Sequence, residues 1–408
     1  MRCKGPARGW RGSTTLATEH AVAAAGAGLA ISGAPADAAM DAALAALDRA
    51  GTERADLALV FTTGDAYAAA HQVLHTIRRV TGARTVVGCS GAGVLTERRE
   101  VEDEAAVAVL VVEDERLMAR AFLVADQGAA GPEAGAEVAR QVGSTLAEGG
   151  CLLLLPDAVG LAPAVLLGGL ETELGPVPVM GAVAAGTTMF ELCNTESARG
   201  ALTGLALSGL RPVLGVAQGC IPIGEPYVVT RAESNVVHEI GSRPALEVLK
   251  AAVRAVPQGP ARVQRAGLFA GLAMDPAKSP LERGDFLVRN LLGVDQASGA
   301  VAVAETVKVG QTLQFHIRDA QASREDLEST LQTVTRALGD RRPLFGCYFN
   351  CAGRGRGLYG TPDHDVTLIR TYLGEFPLVG FFGNGEFAPI GRRNFFHTYT
   401  GALVIFPA

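Results

Sequence analysis

The chain repeats one phrase three times, and that repetition constrains its fold more than any other feature. The copies are Val87-Gly88-Cys89-Ser90-Gly91-Ala92-Gly93, Met180-Gly181-Ala182-Val183-Ala184-Ala185-Gly186 and Val379-Gly380-Phe381-Phe382-Gly383-Asn384-Gly385. Each is an apolar residue, a glycine, four residues and a second glycine. An apolar strand and a helix-like stretch precede each copy, and another apolar strand follows it. The leading strands read Leu57–Phe61, Cys151–Leu155 and Leu344–Phe349; the trailing ones read Ala105–Val112, Ala201–Leu207 and Gly401–Phe406. Three strand–helix–strand–strand units result, and a repeated unit predicts a repeated architecture. The spacing lacks the Lys-Ser/Thr of a phosphate-binding P-loop and does not meet G-x-G-x-x-G. These glycines are therefore expected to let two β elements pass closely at a bend.

Between the copies the periodicity places further elements. Pro35–Ala50 is helical in pattern, with Met40, Leu44 and Leu47 on one face and Gly51 as its stop. Tyr67–Val80 and Ala164–Leu174 follow as helices. Short β-like runs lie between Val213 and Ile240, and a helix over Pro244–Val253 sets the main boundary near Gly241-Ser242. Ala266–Leu272, Phe286–Leu292, Val301–Glu305 and Thr312–Ile317 read as a four-strand meander. Arg324–Leu338 reads as a helix with Ser323 as its N-cap. The expected class is mixed α/β (α+β), with two lobes built from the repeated units and sheets flanked by helices. Residues 1–34 form a leader and first strand, 35–241 the first domain and 242–408 the second.

Composition narrows the function classes. Of 408 residues, 48% are apolar and only 19% charged, which describes a well-buried protein. A net charge of −6 and 5% aromatic residues argue against a nucleic-acid binder, which needs a basic face or stacking platforms. The Ala/Gly-rich stretch Ala21–Ile31 is too weakly apolar for a signal peptide, and no later run is long enough to cross a membrane. A cytoplasmic protein that does not engage membranes is expected. Seven cysteines, odd in number and without a C-x-x-C pair, fit reduced buried thiols better than a disulfide framework. Cys347 and Cys351 have no second Cys/His pair nearby, so neither a metal nor a cofactor is called for.

Candidate chemistry gathers in the first and third copies. Cys89-Ser90 and Cys351 are the nucleophile candidates, with His364 and His397 as conceivable bases in the second domain. Gly353-Arg354-Gly355-Arg356-Gly357 holds two guanidinium forks on a glycine backbone, suited to a carboxylate or phosphate. The alternative is that these arginines pair with Asp363, Asp365 or Glu386 and pin the loop. Asp363, ahead of a helical pattern, is expected to act as an N-cap. Glu386 stands where the sister copies have the small or apolar residues Val94 and Thr187, and a charge where those copies have none points to function.

Several of these stretches resemble the FIST family of sensory domains. They are Val309-Gly310-Gln311-Thr312-Leu313-Gln314-Phe315-His316-Ile317-Arg318-Asp319, Cys351 to Gly357, Pro362-Asp363-His364-Asp365 and Gly383-Asn384-Gly385-Glu386-Phe387-Ala388-Pro389-Ile390-Gly391. Gly88–Gly93 and Gln218-Gly219-Cys220-Ile221-Pro222-Ile223-Gly224 are similar to the amino-terminal part of that family. The resemblance spans roughly residues 50 to 406 and makes the two domains FIST N-like and FIST C-like. It implies small-molecule binding, with amino acids the suggested class, and a role in intracellular signal transduction through an unknown downstream partner. No catalytic activity comes with it. No F-box-like, transmitter, kinase or chemoreceptor segment is visible, so a stand-alone sensory unit is expected. An amino-acid ligand needs an arginine for its carboxylate and an acid for its ammonium, which Arg354, Arg356 and Glu386 can supply. Cys351, Asn384, Cys89 and Ser90 complete the candidate ligand-binding set. The competing readings are a protein-interaction module without small ligand and a cysteine-dependent hydrolase or transferase.

Overall fold

In the computed structural model each repeated unit builds the same arrangement of strands, and each gives one hairpin away. The structure describes residues 23–125, 132–146, 149–257, 259–275 and 277–408. The first unit runs β1 (Ala24–Ile31), α1 (Pro35–Ala50), β2 (Leu57–Thr62), α2 (Ala70–Thr81), β3 (Thr85–Ser90), β4 (Gly93–Thr96), β5 (Glu100–Val101) and β6 (Ala106–Glu113). The second runs β7 (Met118–Val124), α3 (Pro132–Val142), β8 (Cys151–Pro156), α4 (Pro163–Leu174), β9 (Val179–Ala182), β10 (Glu191–Cys193), β11 (Glu196–Ala198) and β12 (Leu202–Ser208).

The third unit opens with β13 (Val213–Ala217) and is then interrupted. The insertion contains β14 (Ile221–Glu233), β15 (Val236–Ile240), β16 (Arg243–Pro244), α5 (Ala245–Ala255), α6 (Gly259–Ala266), β17 (Leu268–Ala273), β18 (Phe286–Val294), β19 (Val301–Val303) and β20 (Thr312–Ile317). The unit resumes with α7 (Ala320–Leu338), β21 (Pro343–Cys351), α8 (Gly355–Tyr359), α9 (His364–Leu373), β22 (Leu378–Gly383), β23 (Glu386–Ile390), β24 (Arg393–His397) and β25 (Gly401–Pro407).

The sheet orders reveal the exchange. They are β1-β6-β2-β3-β10-β11, β7-β12-β8-β9-β23-β24 and β13-β25-β21-β22-β4-β5. The first sheet thus borrows its last hairpin from the second unit, the second from the third, and the third from the first. The cycle closes. Each sheet centres on a parallel pair joined by a crossover helix, β2 with β3, β8 with β9, and β21 with β22. Strands buried on both faces need apolar side chains throughout, which is why Leu57–Phe61 and Leu152–Leu155 lack alternation.

The three sheets turn their inner faces to one shared core, where Leu59, Leu153 and Phe349 meet and the rings of Phe61 and Phe381 stack at 4.8 Å. Helices cover the outer faces: α1 and α2 on the first sheet, α3 and α4 on the second, α7 and α9 on the third. Each borrowed strand adds a residue to the outer core of its host, Leu192 in the first, Phe387 in the second and Leu95 in the third.

The repeated glycine is explained by this packing. A methyl carbon on Gly88 would lie 1.6 Å from the Val60 carbonyl oxygen, one on Gly181 2.0 Å from that of Leu154, and one on Gly380 1.8 Å from that of Tyr348. The first glycine of every copy therefore lets the second parallel strand press against the first. Beyond it the three loops cross and hydrogen-bond to one another. Ala185 N donates to Ser90 O (3.1 Å), Ala92 N to Phe382 O (2.9 Å) and Val183 N to Gly385 O (2.9 Å).

The α+β class is as read from the sequence, and four sheets carry it. Strands cross residue 241 in both directions, since β4 pairs with β22 and β9 with β23. The repeat-bearing parts on the two sides of that boundary are thereby interlocked by shared sheets. The inserted strands form the fourth sheet, in the order β14-β20-β17-β18-β19-β15, which a β14–β15 pairing closes into a small barrel around Val229, Leu272 and Phe315. The expected meander holds for β17 to β19 only. β20 returns to pair with β17 and β14, because closing the barrel satisfies both edges. The helix expected from Arg324 begins one turn earlier. Asp319 is its N-cap, accepting from Ala322 N (2.8 Å), while Ser323 is buried within it and donates to Gly219 O (2.9 Å).

A first prediction follows from the glycine contacts. Gly88→Ala and Gly380→Ala should each lower unfolding free energy by at least about 3 kcal/mol, because a carbonyl of the central strand must move. Gly33→Ala, whose added carbon meets nothing within 4 Å, should stay within about 0.5 kcal/mol of the parent. Urea denaturation of the three variants decides between a packing role and a merely flexible loop.

Candidate functional site

Ligands of open α/β sheets gather at the carboxyl ends of parallel strands. In the third unit that position holds a buried polar knot. β21 ends Tyr348-Phe349-Asn350-Cys351, where polar residues interrupt an apolar strand. The chain then turns tightly, with Arg354 N donating to Cys351 O (2.8 Å), and drives Arg354 inward to 0% exposure. Its Nε donates to Asp365 Oδ2 at 3.1 Å and its Nη2 to the Tyr359 hydroxyl at 2.8 Å. The same Asp365 oxygen accepts from the Tyr348 hydroxyl (2.9 Å) and Asn350 Nδ2 (3.2 Å), while Oδ1 lies 3.0 Å from His364 Nδ1. Gly219 leaves the space for Arg354, since a methyl carbon there would sit 2.8 Å from Nη1.

The electrostatics follow from burial and pairing. Burial alone would raise the Asp365 carboxyl, but Arg354 and His364 outweigh it and hold it well below the ordinary carboxylate range. Burial opposes the Arg354 charge too, and the Asp365 carboxylate more than restores it. Glu100, from the borrowed β5, accepts from Val366 N (3.1 Å) beside this pair, and burial together with the Asp365 charge pushes it up to about 8. Glu386 accepts from Thr400 N (3.1 Å) and is raised well above the usual range by burial. Burial thus shifts both acids toward the neutral form. Burial, and then Glu386, push the Cys351 thiol up to about 12.

Five buried polar atoms around this knot have no partner among the described residues: Asn350 Oδ1, Arg354 Nη1, Glu386 Oε1, Arg318 Nε and Glu100 Oε2. The first three belong to residues with 0% exposure. The inserted barrel bonds to the segment from Phe396 to Tyr399 beside them. Thr398 Oγ1 donates to Val288 O (2.7 Å), Arg289 Nη2 to Phe396 O (3.0 Å) and the Tyr399 hydroxyl to Asn290 Oδ1 (2.5 Å). At its margin a cleft of about 370 Å³ opens between Arg262, Arg318 and Asp319 on one side and Gly357 and Leu358 on the other.

The residues singled out from the sequence separate into three groups. Cys351, Arg354 and Glu386 belong to the knot. Arg356 and Asn384 are exposed: the Arg356 backbone N–H donates to Glu102 (2.8 Å) with its side chain 3.5 Å from Asp103, and Asn384 N donates to Val183 O (3.0 Å). The two arginines therefore do not form one fork, because the turn at Gly355 (φ 65°) sends them opposite ways. Cys89 and Ser90 lie at the loop crossing of the first unit, where the Ser90 hydroxyl accepts from Phe190 N (3.2 Å). Burial, followed by Glu191, raises the Cys89 thiol well above its ordinary value.

Neither thiol suits nucleophilic chemistry, which needs a lowered pKa. The candidate bases are engaged as well, His397 Nε2 with Ala388 O (3.1 Å) and His364 with Asp365. Asp363 stands at the helix start but does not cap it; its Oδ1 accepts from Glu100 N (2.6 Å).

The comparison of Glu386 with Val94 and Thr187 also changes. By sheet register, Glu386 faces Ala182, Glu191 faces Cys89 and Val94 faces Phe381. Glu191 is thus the counterpart in the second unit, and it too is a buried acid, pushed up to about 9 by burial and then Asp157. Sequence spacing missed it because the gap before β10 is longer than the gaps before β4 and β23. Tyr348, Asn350 and Tyr359 were missed as well, though polar residues ending an apolar strand were a usable signal.

Two further predictions follow. Arg354→Ala leaves Asp365 buried without its cation and should cost about 3–5 kcal/mol of stability in chemical denaturation, with Asp365→Asn nearly as severe. The raised acids make stability fall with rising pH. Glu100 and Glu191 keep their protons up to about 8 and 9 when folded but ionise above the ordinary value of 4.5 when unfolded, and Glu386 is shifted in the same direction, so their contribution is full below 4.5 and is lost as pH rises toward the folded values. Each pKa unit is worth about 1.4 kcal/mol. Glu191→Gln should flatten this slope and exceed the parent in stability at pH 9; unchanged slopes between pH 5 and 9 would contradict the assignment.

Comparison with known proteins agrees with this architecture. Residues 56–243 match the FIST N domain and residues 245–389 the FIST C domain. An uncharacterized protein of Mycobacterium tuberculosis (strain H37Rv) is 34% identical over 338 residues, covering 79% of this chain and 83% of the relative. An uncharacterized protein of Mycobacterium bovis is 32% identical over 377 residues, covering 90% and 95%. FIST domains are associated with sensory signal-transduction proteins, and among the described residues no helix is long and apolar enough to cross a membrane. The two domain matches together span most of the 408 residues, and the chain belongs to the FIST family.

Proposed function

We propose that this protein is a small-molecule sensor in signal transduction, taking its ligand in the crevice of the third unit beneath the inserted barrel. The observation that carries this reading is the set of unpartnered buried atoms Asn350 Oδ1, Arg354 Nη1 and Glu386 Oε1. A buried polar group without a partner costs about 1–3 kcal/mol, so three in one buried knot favour an occupant that supplies the missing bonds. The class that fits is an amino acid or other small carboxylate. Arg354 Nη1 is a charged donor for a carboxylate oxygen, Asn350 Oδ1 an acceptor, and Glu386 a counter-ion for an ammonium group. Only the third unit carries the barrel, and its strands bond to the β24–β25 turn, so occupancy can be felt beyond the crevice. A downstream signalling protein would read that change. Cys351 lines the reading as a buried neighbour of Glu386 rather than as a nucleophile; Asn384 and Arg356 lie on the outer surface, and Cys89 and Ser90 in the first unit.

Burial holds the Glu386 carboxyl well above its ordinary value, so docking of an ammonium group beside it favours its ionisation with release of a proton. Thermal-shift screening against amino acids and small carboxylates should find a stabilising compound. Calorimetric heats should then vary with the ionisation enthalpy of the buffer. Glu386→Gln should weaken binding and abolish that variation. No stabilisation by any compound, together with no small molecule released on denaturation of the purified protein, would remove the reading.

A further inference from the structure

The arginines near the barrel junction are matched to acids with one exception. Arg262 Nε donates to Asp319 Oδ2 (3.1 Å), Arg283 Nε lies 3.3 Å from Asp326, and Arg354 pairs with Asp365. Arg318 has no carboxylate partner among the described side chains. Its one acceptor is the Gly353 carbonyl, bonded by Nη1, and its Nε is buried and unused. An unpaired guanidinium in a partly buried setting is costly unless something else compensates it.

What compensates Arg318 in part is Tyr399. The guanidinium lies over that ring, 4.5 Å from its centroid. Tyr399 achieves this in the left-handed region, φ 63°, where an aromatic side chain is strained. Strain of about 1–3 kcal/mol persists where surroundings enforce it, often at ligand clamps. Here the Tyr399 hydroxyl is tied to Asn290 of the barrel, so barrel and third unit jointly hold the platform. Arg318 lines the 370 Å³ cleft together with Gly357 and Leu358. That space suits a small metabolite and not a polymer.

The geometry points to Arg318 as an anion anchor beside the knot: the cleft takes the carboxylate or phosphate group of a small ligand on the Arg318 guanidinium, which has no carboxylate partner among the described side chains and is held flat by Tyr399. This inference rests on the ligand-binding reading above, in which Arg354 meets a carboxylate in the knot, and adds a second anion-binding residue in the cleft at its margin. Arg262 flanks the site with its charge already neutralised by Asp319, so the selectivity belongs to Arg318.

The test uses the full chain, with inorganic phosphate and a series of mono- and dicarboxylates as probes in thermal-shift and calorimetric titrations. Arg318→Gln removes the cation. Gly357→Glu leaves it in place but supplies a competing carboxylate from a position whose added carbon meets nothing within 4 Å, so folding is preserved. Arg336→Gln, an exposed arginine elsewhere on α7, controls for general charge effects. Anion affinity should fall about ten- to hundredfold in Arg318→Gln and Gly357→Glu and stay unchanged in Arg336→Gln. Phosphate and carboxylate probes separate the two ligand sources by which binds more tightly. Equal affinity in all four proteins overturns the role of Arg318. Binding of a neutral or cationic compound that neither cleft variant disturbs overturns it too, while leaving the sensor reading intact. No binding of any probe or metabolite defeats both.

Discussion

The whole molecule depends on one close contact made three times: an alpha carbon without a side chain set against the carbonyl of the neighbouring parallel strand. Gly88, Gly181 and Gly380 each occupy space where a methyl carbon would lie within 2.0 Å of a carbonyl oxygen. That contact sets the two central strands of each sheet at their spacing and aims the following loop across the middle of the protein. The loops then bond to one another, and the strands that leave them enter the next sheet. No unit is complete without its neighbour, because each lends one hairpin and borrows another. Cooperative folding of the three-sheet body is the thermodynamic consequence, since the shared core is assembled from all three units at once.

Within this near-equivalent arrangement the third unit differs by what is added to it. The barrel enters between β13 and α7, beside the carboxyl ends of β21 and β22. Its strands bond to the β24–β25 turn next to the buried knot. Arg354 and Asp365 hold their charges because each is the other's counter-ion, while burial shifts Glu100 and Glu386 toward the neutral form. A buried pair surrounded by neutral acids has little direct stabilising value, so its retention favours a role in specificity. The second unit keeps the matching acid, Glu191, but has no counterpart of the Arg354 turn.

Much of the fold was legible because strand and helix periods are local. The helix over Pro35–Ala50, its Gly51 stop, and the buried strands at Leu57, Cys151 and Leu344 all follow from residue order alone. The site was legible in part. Cys351, Arg354 and Glu386 stood out as charge or thiol among glycine and apolar neighbours, and they do meet. Arg356 and Asn384 stood out equally and face solvent, because the direction of a side chain after a glycine turn depends on that turn's dihedral angles. Tyr348, Asn350 and Arg318 drew no notice as site residues, since a polar residue in a strand is informative only once its buried neighbours are known.

By itself the sequence determined the α+β class, the three units and the requirement for glycine at each copy, because these rest on short-range sterics and hydrophobic patterning. Only the tertiary structure decided where each strand after the second glycine pairs. Pairing there is between residues far apart in the chain, as with Phe381 and Val94 or Gly181 and Phe387. The same long-range packing decided which acids are neutral and which arginine is left without a partner. Those properties are sums over every neighbouring charge and the water excluded between them, and no local pattern encodes that sum.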